Sequence, residues 1–424
     1  MIHPKLTILT ILLLGLSVTA ARSQVSKILI PMDETQSDHL KAYGIAYWVL
    51  GKGYEVDWLL NYRGGAFFFD DSDLLSAECA LRGVTFEKLS GARAALVYSQ
   101  VQAEEANMDV VRLQSVPKVA VYAPPGFQPW DDAVTMAMEY AEIPYDKVWD
   151  TEVIEGKLGE YDWLHLHHED FTGQYGKFYA THRYEPWYIQ QVELMEATAA
   201  TLGYAKVSVL KRDVALQIKN FVANGGFLFA MCSATDTYDI ALATQGTDIC
   251  AEIFDGDPAD PAMNSKLDFT QTLAFENFEV LDDPYRYEYS TIDVEPSIYA
   301  SPANDRFALF AFSARHDPVP TMLTQSHEGI VTGFLGQTTA FHREFLKKEV
   351  IILGEREGTD EVKYITGNHG RGSFTFYAGH DPEDYQHAIH DPATQLELHK
   401  NSPGYRLILN NVLFPSAKKK KQKT

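Results

Sequence analysis

Short apolar segments alternate with segments of helical periodicity through much of the chain, and this alternation constrains its fold most strongly. Lys27 to Pro31 and Tyr54 to Leu60 resemble buried strands, and His39 to Leu50 between them has apolar residues at helical spacing. The pattern restarts with the predicted strands Lys118 to Tyr122 and Tyr161 to His167. Strands that alternate with helices are typical of α/β proteins. The sequence therefore predicts an α/β fold with two doubly wound lobes.

The 424 residues divide into segments of different composition. We expect an N-terminal α/β lobe over 24–115 and a second lobe over 116–416, followed by a basic tail over 417–424. Within the second lobe, the regular alternation fades over about 250–345, which predicts an irregular insertion.

The first 23 residues have the features of a secretory signal peptide. Lys5 precedes an apolar core from Leu6 to Val18, and Ala21-Arg22-Ser23 is a small-x-small cleavage site. The apolar core is shorter than the ~20 residues that a spanning helix needs. The sequence therefore predicts an exported chain, periplasmic or extracellular after cleavage, with no stable membrane anchor.

Charge and cysteine content narrow the classes of partner. The formal charge of −22 disfavours binding of nucleic acid over the body of the protein. Three cysteines allow at most one disulfide, and no CxxC pair is present to hold zinc. We expect a small molecule as the partner, while the oligomeric state is not predicted.

The best candidate for a nucleophile is Cys232. It follows the apolar run Phe227 to Met231, which a Gly-Gly turn precedes, and a helical pattern comes after it. Ala230 and Ala234 lie two positions to either side, and a nucleophile elbow needs small residues there. The alternative is that Cys232 is a small buried hydrophobic residue at the end of a core strand.

His380 and Glu383 could complete a catalytic site with Cys232. His380 follows the predicted strand Ser373 to Tyr377, and Glu383 lies three residues further on. A thiol becomes a good nucleophile when an imidazole stabilises its thiolate, and a carboxylate orients that imidazole. The two residues can meet Cys232 only if the two strands are parallel neighbours. We also expect a nearby histidine to lower the pKa of Cys232.

A second candidate site is the cluster His165, His167, His168 and Glu169. Strand alternation puts His165 and His167 on one face, while His168 and Glu169 reach the following loop. Imidazoles with carboxylates suit zinc or another divalent metal. The alternative is a set of hydrogen-bonded histidines at a sheet edge.

Two loops of the first lobe are candidate ligand-binding segments. Asp33, Glu34 and Gln36 follow one predicted strand, and Asn61 and Arg63 follow another. In a doubly wound sheet such loops form the ligand crevice, so we expect Arg63 to reach across a cleft towards the histidines. The alternatives are helix capping, a simple turn at Gly64-Gly65, and a surface ion pair between Arg63 and Asp33 or Glu34.

Aromatic residues near the histidine cluster predict binding of a sugar or another polar molecule, with core packing as the alternative. They are Trp130, Trp163, Tyr175, Phe178, Tyr179, Tyr184, Trp187 and Tyr188.

The chain from about Lys118 onward resembles the class I glutamine amidotransferase-like fold, in its trehalose-utilisation (ThuA-like) branch. The residues that carry the resemblance are Lys118 to Tyr122, Leu158 to Asp162, Gly225 to Phe227, Ser373 to His380 and Tyr405 to Phe414. The resemblance implies flavodoxin-like or amidotransferase-like lobes, a Gly-x-Cys-x-Gly elbow and a His-Pro-Glu motif. Here the elbow is Ala230-Met231-Cys232-Ser233-Ala234, and one extra residue separates His380 from Pro382-Glu383.

The whole chain also resembles an exported bacterial group often labelled asparagine synthetase B. The segments Met32 to Gln36 and Leu59 to Gly65 belong to this resemblance. Residue 2 is Ile, and the Ser-Gly-Gly-x-Asp-Ser loop of true synthetases does not occur.

The sequence thus predicts an exported α/β protein that hydrolyses or binds a polar small molecule, a sugar derivative being one option. An enzyme of this kind would use a Cys-His site or a zinc-like divalent metal. The alternative is a ligand-binding module without catalysis.

Overall fold

The computed structural model of the chain describes residues 26–126, 128–294, 306–332, 336–384 and 389–417. The expected signal peptide and most of the basic tail lie outside the described residues. Within them, no helix is long and apolar enough to cross a bilayer.

The first lobe contains a sheet in which every neighbouring pair of strands is antiparallel, in the order β4-β1-β3-β2-β5. Its strands are β1 (Lys27–Ile30), β2 (Val56–Leu60), β3 (Ala66–Asp70), β4 (Glu87–Leu89) and β5 (Asp109–Leu113). The α/β class is confirmed, but the doubly wound arrangement of this lobe is wrong. The reason is a hairpin: Gly64 and Gly65 have φ of 74° and 91°, and the turn they form inserts β3 between β1 and β2.

The second sheet is parallel over one half and antiparallel over the other, in the order β11-β10-β13-β14-β15-β9-β8-β6-β7. Strands β7, β6, β8, β9 and β15 run parallel, which confirms the parallel sheet expected for this lobe. Strand β12 pairs with β14 outside this order. The strands are β6 (Val119–Tyr122), β7 (Asp146–Val148), β8 (Trp163–Leu166), β9 (Phe227–Met231), β10 (Arg306–Leu309), β11 (Ile330–Thr332), β12 (Phe341–His342), β13 (Ile351–Glu355), β14 (Glu361–His369) and β15 (Gly372–Tyr377).

Twelve α-helices are found in the described residues. They are α1 (His39–Gly51), α2 (Asp73–Leu81), α3 (Gly91–Val101), α4 (Ala133–Tyr140), α5 (Asp150–Ile154), α6 (Tyr179–His182), α7 (Pro186–Thr201), α8 (Val207–Ala223), α9 (Ala234–Ala243), α10 (Glu252–Asp255), α11 (Pro318–Leu323) and α12 (Pro403–Leu413). In the expected insertion, the described part before residue 295 has little regular structure after α10. Residues 306–332, by contrast, add β10, α11 and β11 to the antiparallel half of the sheet.

Helix α12 joins the two lobes. Its apolar residues belong to one core cluster with α1, α4 and strands of both sheets. Arg406 on this helix is fully buried, and its guanidinium donates to Met32 O (2.8 Å) and to the carbonyl of Gly64. The end of the chain therefore holds the loops of the first lobe against the second.

Candidate functional site

The candidate site lies where the parallel strands β6, β8, β9 and β15 end, a region called the parallel edge below. Strands β9 and β15 are hydrogen-bonded neighbours, with Met231 opposite Tyr377. Cys232 and His380 therefore follow adjacent strand ends, and the Cys232 amide donates to Gly379 O at 3.0 Å. The requirement that the two strands be parallel neighbours is met.

Cys232 has the backbone of a nucleophile elbow. Its φ is +51°, a left-handed conformation that costs a residue with a Cβ roughly 1–2 kcal/mol. Such strain is found most often at functional sites. Helix α9 begins two residues later at Ala234, so the turn between strand and helix projects the side chain at the sheet edge.

The thiol of Cys232 is buried, with 1% of the residue exposed. The backbone N–H of Gln337 donates to its Sγ at 3.2 Å. Burial raises the pKa of the thiol to about 11. The backbone N–H groups of Gln337 and Thr338 lower this pKa, but by less than burial raises it. The expectation that a histidine lowers this pKa is wrong, because the cost of burial outweighs the hydrogen bonds to the sulfur.

Cys232 and His168 line the same cavity, which has a volume of about 520 Å³. Among the described residues that line it there is no carboxylate, whereas Lys177 and Arg286 contribute positive charge. The full lining is Trp130, His168, Lys177, Phe178, Ala180, Thr181, His182, Cys232, Tyr285, Arg286, Tyr287, Gln337 and Ile389. In a chain of net charge −22, this composition favours an anionic occupant.

Lys177 supplies its charge from a fixed position. Its Nζ donates to the carbonyls of Leu281 (2.6 Å), Glu288 (2.9 Å) and Asp283 (3.4 Å). Burial lowers the pKa of Lys177 to about 8, which leaves most of the ammonium protonated at neutral pH.

One wall of the cavity is aromatic. The rings of Trp130 and Phe178 stack with centroids 5.5 Å apart and an interplanar angle of 28°, and Trp187 meets both edge-on. Other members of the predicted aromatic set, such as Trp163 and Tyr188, are buried in the protein core. The structure thus brings two of the eight aromatic residues to the cavity.

The imidazole rings of His168 and His380 lie close together. Their Nε2 atoms are 2.6 Å apart, and both lie near the carbonyl oxygen of Asp131, at 3.0 and 3.1 Å. A carbonyl only accepts hydrogen bonds, and one imidazole must donate to the other. One ring therefore carries its proton on Nε2, and the other presents a lone pair there.

Two acidic residues lie close to His380. One carboxylate oxygen each of Asp131 and Asp381 lies within 4.8 Å of a ring nitrogen of His380. Asp381 accepts hydrogen bonds from Thr394 (2.9 Å) and Tyr405, and burial raises the pKa of its carboxyl to about 8. Glu383, which the sequence nominated, has a φ of +72° and pairs with His399 at 3.5 Å. Asp381 is the extra residue between His380 and Pro382-Glu383, and in this longer motif Glu383 pairs with His399.

The predicted metal residues separate into two overlapping groups. The ligand atoms of Asp132, His165 and His167 lie within 4.8 Å of one another, and so do those of His167, His168 and His380. Glu169 is placed differently: its Oε2 accepts the backbone N–H of His167 at 3.0 Å, and burial raises the pKa of its carboxyl to about 7.

The five predicted ligand-binding residues of the first lobe do not line the cavity described above. Arg63 donates from Nε to Asp33 at 2.7 Å and also contacts Glu87, both in its own lobe. This corresponds to the surface ion pair considered as the alternative. Glu34 is exposed.

Gln36 and Asn61 form hydrogen bonds with neighbouring segments of the chain. Gln36 Nε2 donates to Pro31 O at 2.7 Å, and its Oε1 accepts the Thr85 N–H at 2.8 Å. Asn61 Oδ1 accepts from Gln325 Nε2 at 2.8 Å. These loops do not form the expected ligand crevice, because residues 61–65 close a hairpin between antiparallel strands.

Several residues of the site were missed from the sequence, namely Asp131, Asp132, Lys177, Arg286, Gln337 and Asp381. Asp132 reads as the N-cap of α4, yet it also follows the parallel strand β6, where functional side chains gather. Its position after a predicted parallel strand was the sequence feature that could have identified Asp132. Gln337 comes from the irregular segment before β12, and no local pattern marks it.

No protein-family model matches the chain, and no curated protein matches it. The chain is a mixed α/β protein with a parallel and an antiparallel sheet, and it has distant structural similarity to several solved proteins. Cytoplasmic protein STM3548 from Salmonella typhimurium is 13% identical, with a TM-score of 0.35 over 71% of this chain and 100% of that one. Cytoplasmic protein STM1381 from Salmonella typhimurium LT2 is 14% identical, with a TM-score of 0.36 and the same coverage.

Gan42B, a GH42 beta-galactosidase from G. stearothermophilus, is 11% identical, with a TM-score of 0.27 over 64% of this chain and 28% of that one. These similarities are too distant to carry an argument about function.

Proposed function

We propose that the protein hydrolyses an acyl bond in a polar, negatively charged small molecule, with Cys232 as the nucleophile. The observation that supports this most is the position of Cys232. It combines a left-handed backbone at a strand-to-helix turn with a side chain that lines a cavity of about 520 Å³ beside an imidazole. Strained nucleophiles at the ends of parallel strands are a recurrent solution for acyl transfer.

The cavity supports the chemistry as follows. His168 is the candidate general base, and takes the thiol proton as sulfur attacks the acyl carbon. The bond between the acyl carbon and the leaving group then breaks as the leaving group takes the proton from His168. Water hydrolyses the thioester, which releases the acid and restores the thiol. His380 and the Asp131 carbonyl hold the ring of His168 in place through Nε2.

The rest of the lining favours a ligand with a flat or apolar face and an anionic group. Trp130 and Phe178 offer a stacked aromatic wall, and Lys177 and Arg286 offer positive charge. The ligand would fit the usual size range, since small-molecule sites enclose about 300–1,000 Å³.

Non-catalytic binding at the same cavity is the second candidate function. The observation that favours it is the burial of Cys232, which is 1% exposed and has its pKa raised to about 11. A thiol of this kind is almost wholly protonated at neutral pH, so it attacks only when a base removes its proton.

Two chromogenic esters separate these functions: p-nitrophenyl acetate, which is neutral, and p-nitrophenyl hemisuccinate, which carries a carboxylate. We expect faster hydrolysis of the hemisuccinate ester and a succinyl adduct on Cys232 in the mass spectrum of the intact protein. Cys232→Ala should lower the rate at least ~100-fold, within the range seen when a nucleophile is removed.

Cys79→Ala is the matched control, because Cys79 is buried in the core away from the cavity. It should retain hydrolysis per folded molecule. If Cys232→Ala hydrolyses both esters as fast as the parent protein, Cys232 is not the nucleophile. A hemisuccinate-induced rise in melting temperature without hydrolysis would support the binding function.

A further inference from the structure

Three side chains near the ends of the neighbouring parallel strands β6 and β8 are called the Asp132 trio: Asp132, His165 and His167. His165 is on β8 and His167 follows its end, so both lie on one side of the strand. Asp132 ends the loop after β6, which pairs with β8 so that Val121 lies opposite His165. Both imidazoles are buried, at 0% and 1% exposure, while the Asp132 side chain is 20% exposed.

The hydrogen bond of His165 settles its tautomer. Its Nδ1 lies 3.2 Å from the carbonyl oxygen of Phe229, and a carbonyl can only accept. Nδ1 therefore carries a proton, so in the neutral form of the ring Nε2 presents a lone pair. This Nε2 is buried, has no hydrogen-bond partner and lies 3.4 Å from Asp132 Oδ2.

His167 faces the other oxygen of Asp132. Its Nδ1 lies 3.3 Å from Asp132 Oδ1, and neither ring nitrogen has a hydrogen bond of good geometry although both are buried. A buried, unpartnered imidazole nitrogen beside a carboxylate needs an explanation.

The role of Asp132 as a helix cap accounts for one oxygen only. Oδ1 accepts the backbone N–H groups of Val134 (2.8 Å) and Thr135 (2.9 Å). Oδ2 faces His165 and takes no part in the cap. Capping of α4 therefore does not account for the position of Oδ2 beside His165.

The spacing of the trio leaves room for one metal ion between the three side chains. One ligand atom from each of Asp132, His165 and His167 lies within 4.8 Å of the other two. His167 Nδ1 is 3.3 Å from Asp132 Oδ1 and His165 Nε2 is 3.4 Å from Oδ2, so each imidazole faces a different oxygen of the carboxylate. Zinc bonds of about 2.0–2.1 Å at tetrahedral angles put neighbouring ligand atoms roughly 3.3–3.4 Å apart, so small shifts of the side chains would complete such a site. The Nδ1–H group of His165 donates to the carbonyl oxygen of Phe229. Metal-binding imidazoles usually donate their other N–H group to such an acceptor, which fixes the orientation of the ring.

We infer that Asp132, His165 and His167 bind one divalent transition-metal ion of the zinc class. The three side chains are the ligands, and the partial exposure of Asp132 leaves a side from which water or a bound molecule completes the coordination. This inference rests on different residues from the proposed hydrolysis by Cys232 and stands or falls separately.

The first test is the metal content of the full chain. Protein stripped with a chelator and dialysed against zinc should retain one zinc per chain, measured by mass spectrometry of the elements. Zinc should also raise its melting temperature, because an ion that binds only the folded state stabilises it. Cys232→Ala should bind zinc like the parent protein, which separates this result from the proposed function.

Asp132→Asn is the most informative variant, because Asn caps a helix about as well as Asp but supplies no anionic ligand. It should leave the melting temperature of the zinc-free protein within a few degrees and weaken zinc binding at least ~100-fold, since even the loss of an outer-shell partner costs about 10- to 100-fold. His165→Gln should weaken zinc binding similarly. His316→Gln removes an exposed imidazole and should have no effect.

The competing explanation is a protonated His165 paired with Asp132. It predicts no zinc retention by the parent protein and a lower melting temperature for zinc-free Asp132→Asn. Either result, or unchanged zinc binding in both Asp132→Asn and His165→Gln, would overturn the inference.

Discussion

The loops of the first lobe and the parallel edge have similar sequence patterns but different structures. In both regions polar side chains follow short apolar strands. In the first lobe they satisfy one another and the backbone: Arg63 pairs with Asp33, and Gln36 bonds Pro31 and Thr85. At the parallel edge, Cys232 and His168 line a cavity, and the buried Nε2 of His165 lies 3.4 Å from Asp132 Oδ2.

Strand direction explains the difference. Parallel neighbours end at the same edge, so the residues after β6, β8, β9 and β15 converge. Antiparallel neighbours end at opposite edges, and the loop between β2 and β3 is a hairpin turn. Polar residues after a strand are therefore candidates for a site only where the strand has parallel neighbours.

The largest expected effect is on catalysis at the parallel edge. His168→Gln removes the candidate base and should lower ester hydrolysis by about 10²- to 10⁴-fold, the usual contribution of general base catalysis. The free energy of unfolding should change little by comparison. His316→Gln, at an exposed site, is the control and should hydrolyse normally. Equal rates for the two variants would show that His168 is not the general base.

The second effect is on stability in the first lobe. Gln36→Leu removes the side-chain partners of the Pro31 carbonyl and the Thr85 amide, and each buried group left unsatisfied costs about 1–3 kcal/mol. We expect the free energy of unfolding, measured with urea, to fall by ~2–4 kcal/mol. Hydrolysis per folded molecule should not change. Glu34→Gln is the exposed control, and a loss of activity in Gln36→Leu at full stability would give this loop a role in the site.

The third effect is on the pH dependence of stability where the lobes meet. Burial, with Arg406 nearby, lowers the pKa of His39 to about 4, against about 6.5 in the unfolded chain. The unfolded state therefore binds more protons between these values, and stability falls as the pH drops below 6.5. At pH 4.5 the loss should be about 2.5 kcal/mol relative to pH 7.

Because carboxyl groups also titrate in this range, the measurement is the difference between the parent protein and His39→Gln. The variant should lose stability less steeply between pH 7 and 4.5. Parallel curves for the two proteins would show that His39 does not contribute.

The smallest effect concerns Arg63. Its side chain is 27% exposed and paired with Asp33 and Glu87, and such partly exposed pairs contribute ~0–1 kcal/mol. Arg63→Ala should therefore lower stability by about 1 kcal/mol or less and leave ester hydrolysis unchanged. A clear rise in KM for the hemisuccinate ester would restore the original expectation that Arg63 reaches the ligand.

Sequence patterns predicted the parallel edge well and the first lobe poorly. Phe227 to Met231 and Ser373 to Tyr377 are apolar runs bounded by turn residues, so both strands and the residues after them could be recognised. The insertion of β3 between β1 and β2 could not be, because strand order depends on contacts between distant residues. Gly64-Gly65 was the local signal for the hairpin.

Individual contacts at the site were harder to predict than its location. Asp132 has the pattern of a helix cap, and its second oxygen gains a role only when β6 lies beside β8. Glu383 lies in a segment that resembles a His-Pro-Glu motif. This segment contains one extra residue, and Glu383 pairs with His399. Side-chain partners depend on exact loop paths, which local patterns do not specify.

The rates at which iodoacetamide alkylates the three cysteines of the folded protein test most directly whether the parallel edge is an accessible site. Cys232 lines the cavity, whereas Cys79 and Cys250 are fully buried in the protein core. Burial raises the pKa of Cys232 to about 11 and that of Cys79 to about 12, and it raises the pKa of Cys250 well above the ordinary value of a thiol. Peptide mass spectrometry at pH 8 should show Cys232 labelled at least about tenfold faster than the other two, because its thiolate fraction is larger and the reagent can reach it. Labelling of Cys232 no faster than Cys79 or Cys250 would contradict this and leave Cys232 as a core residue.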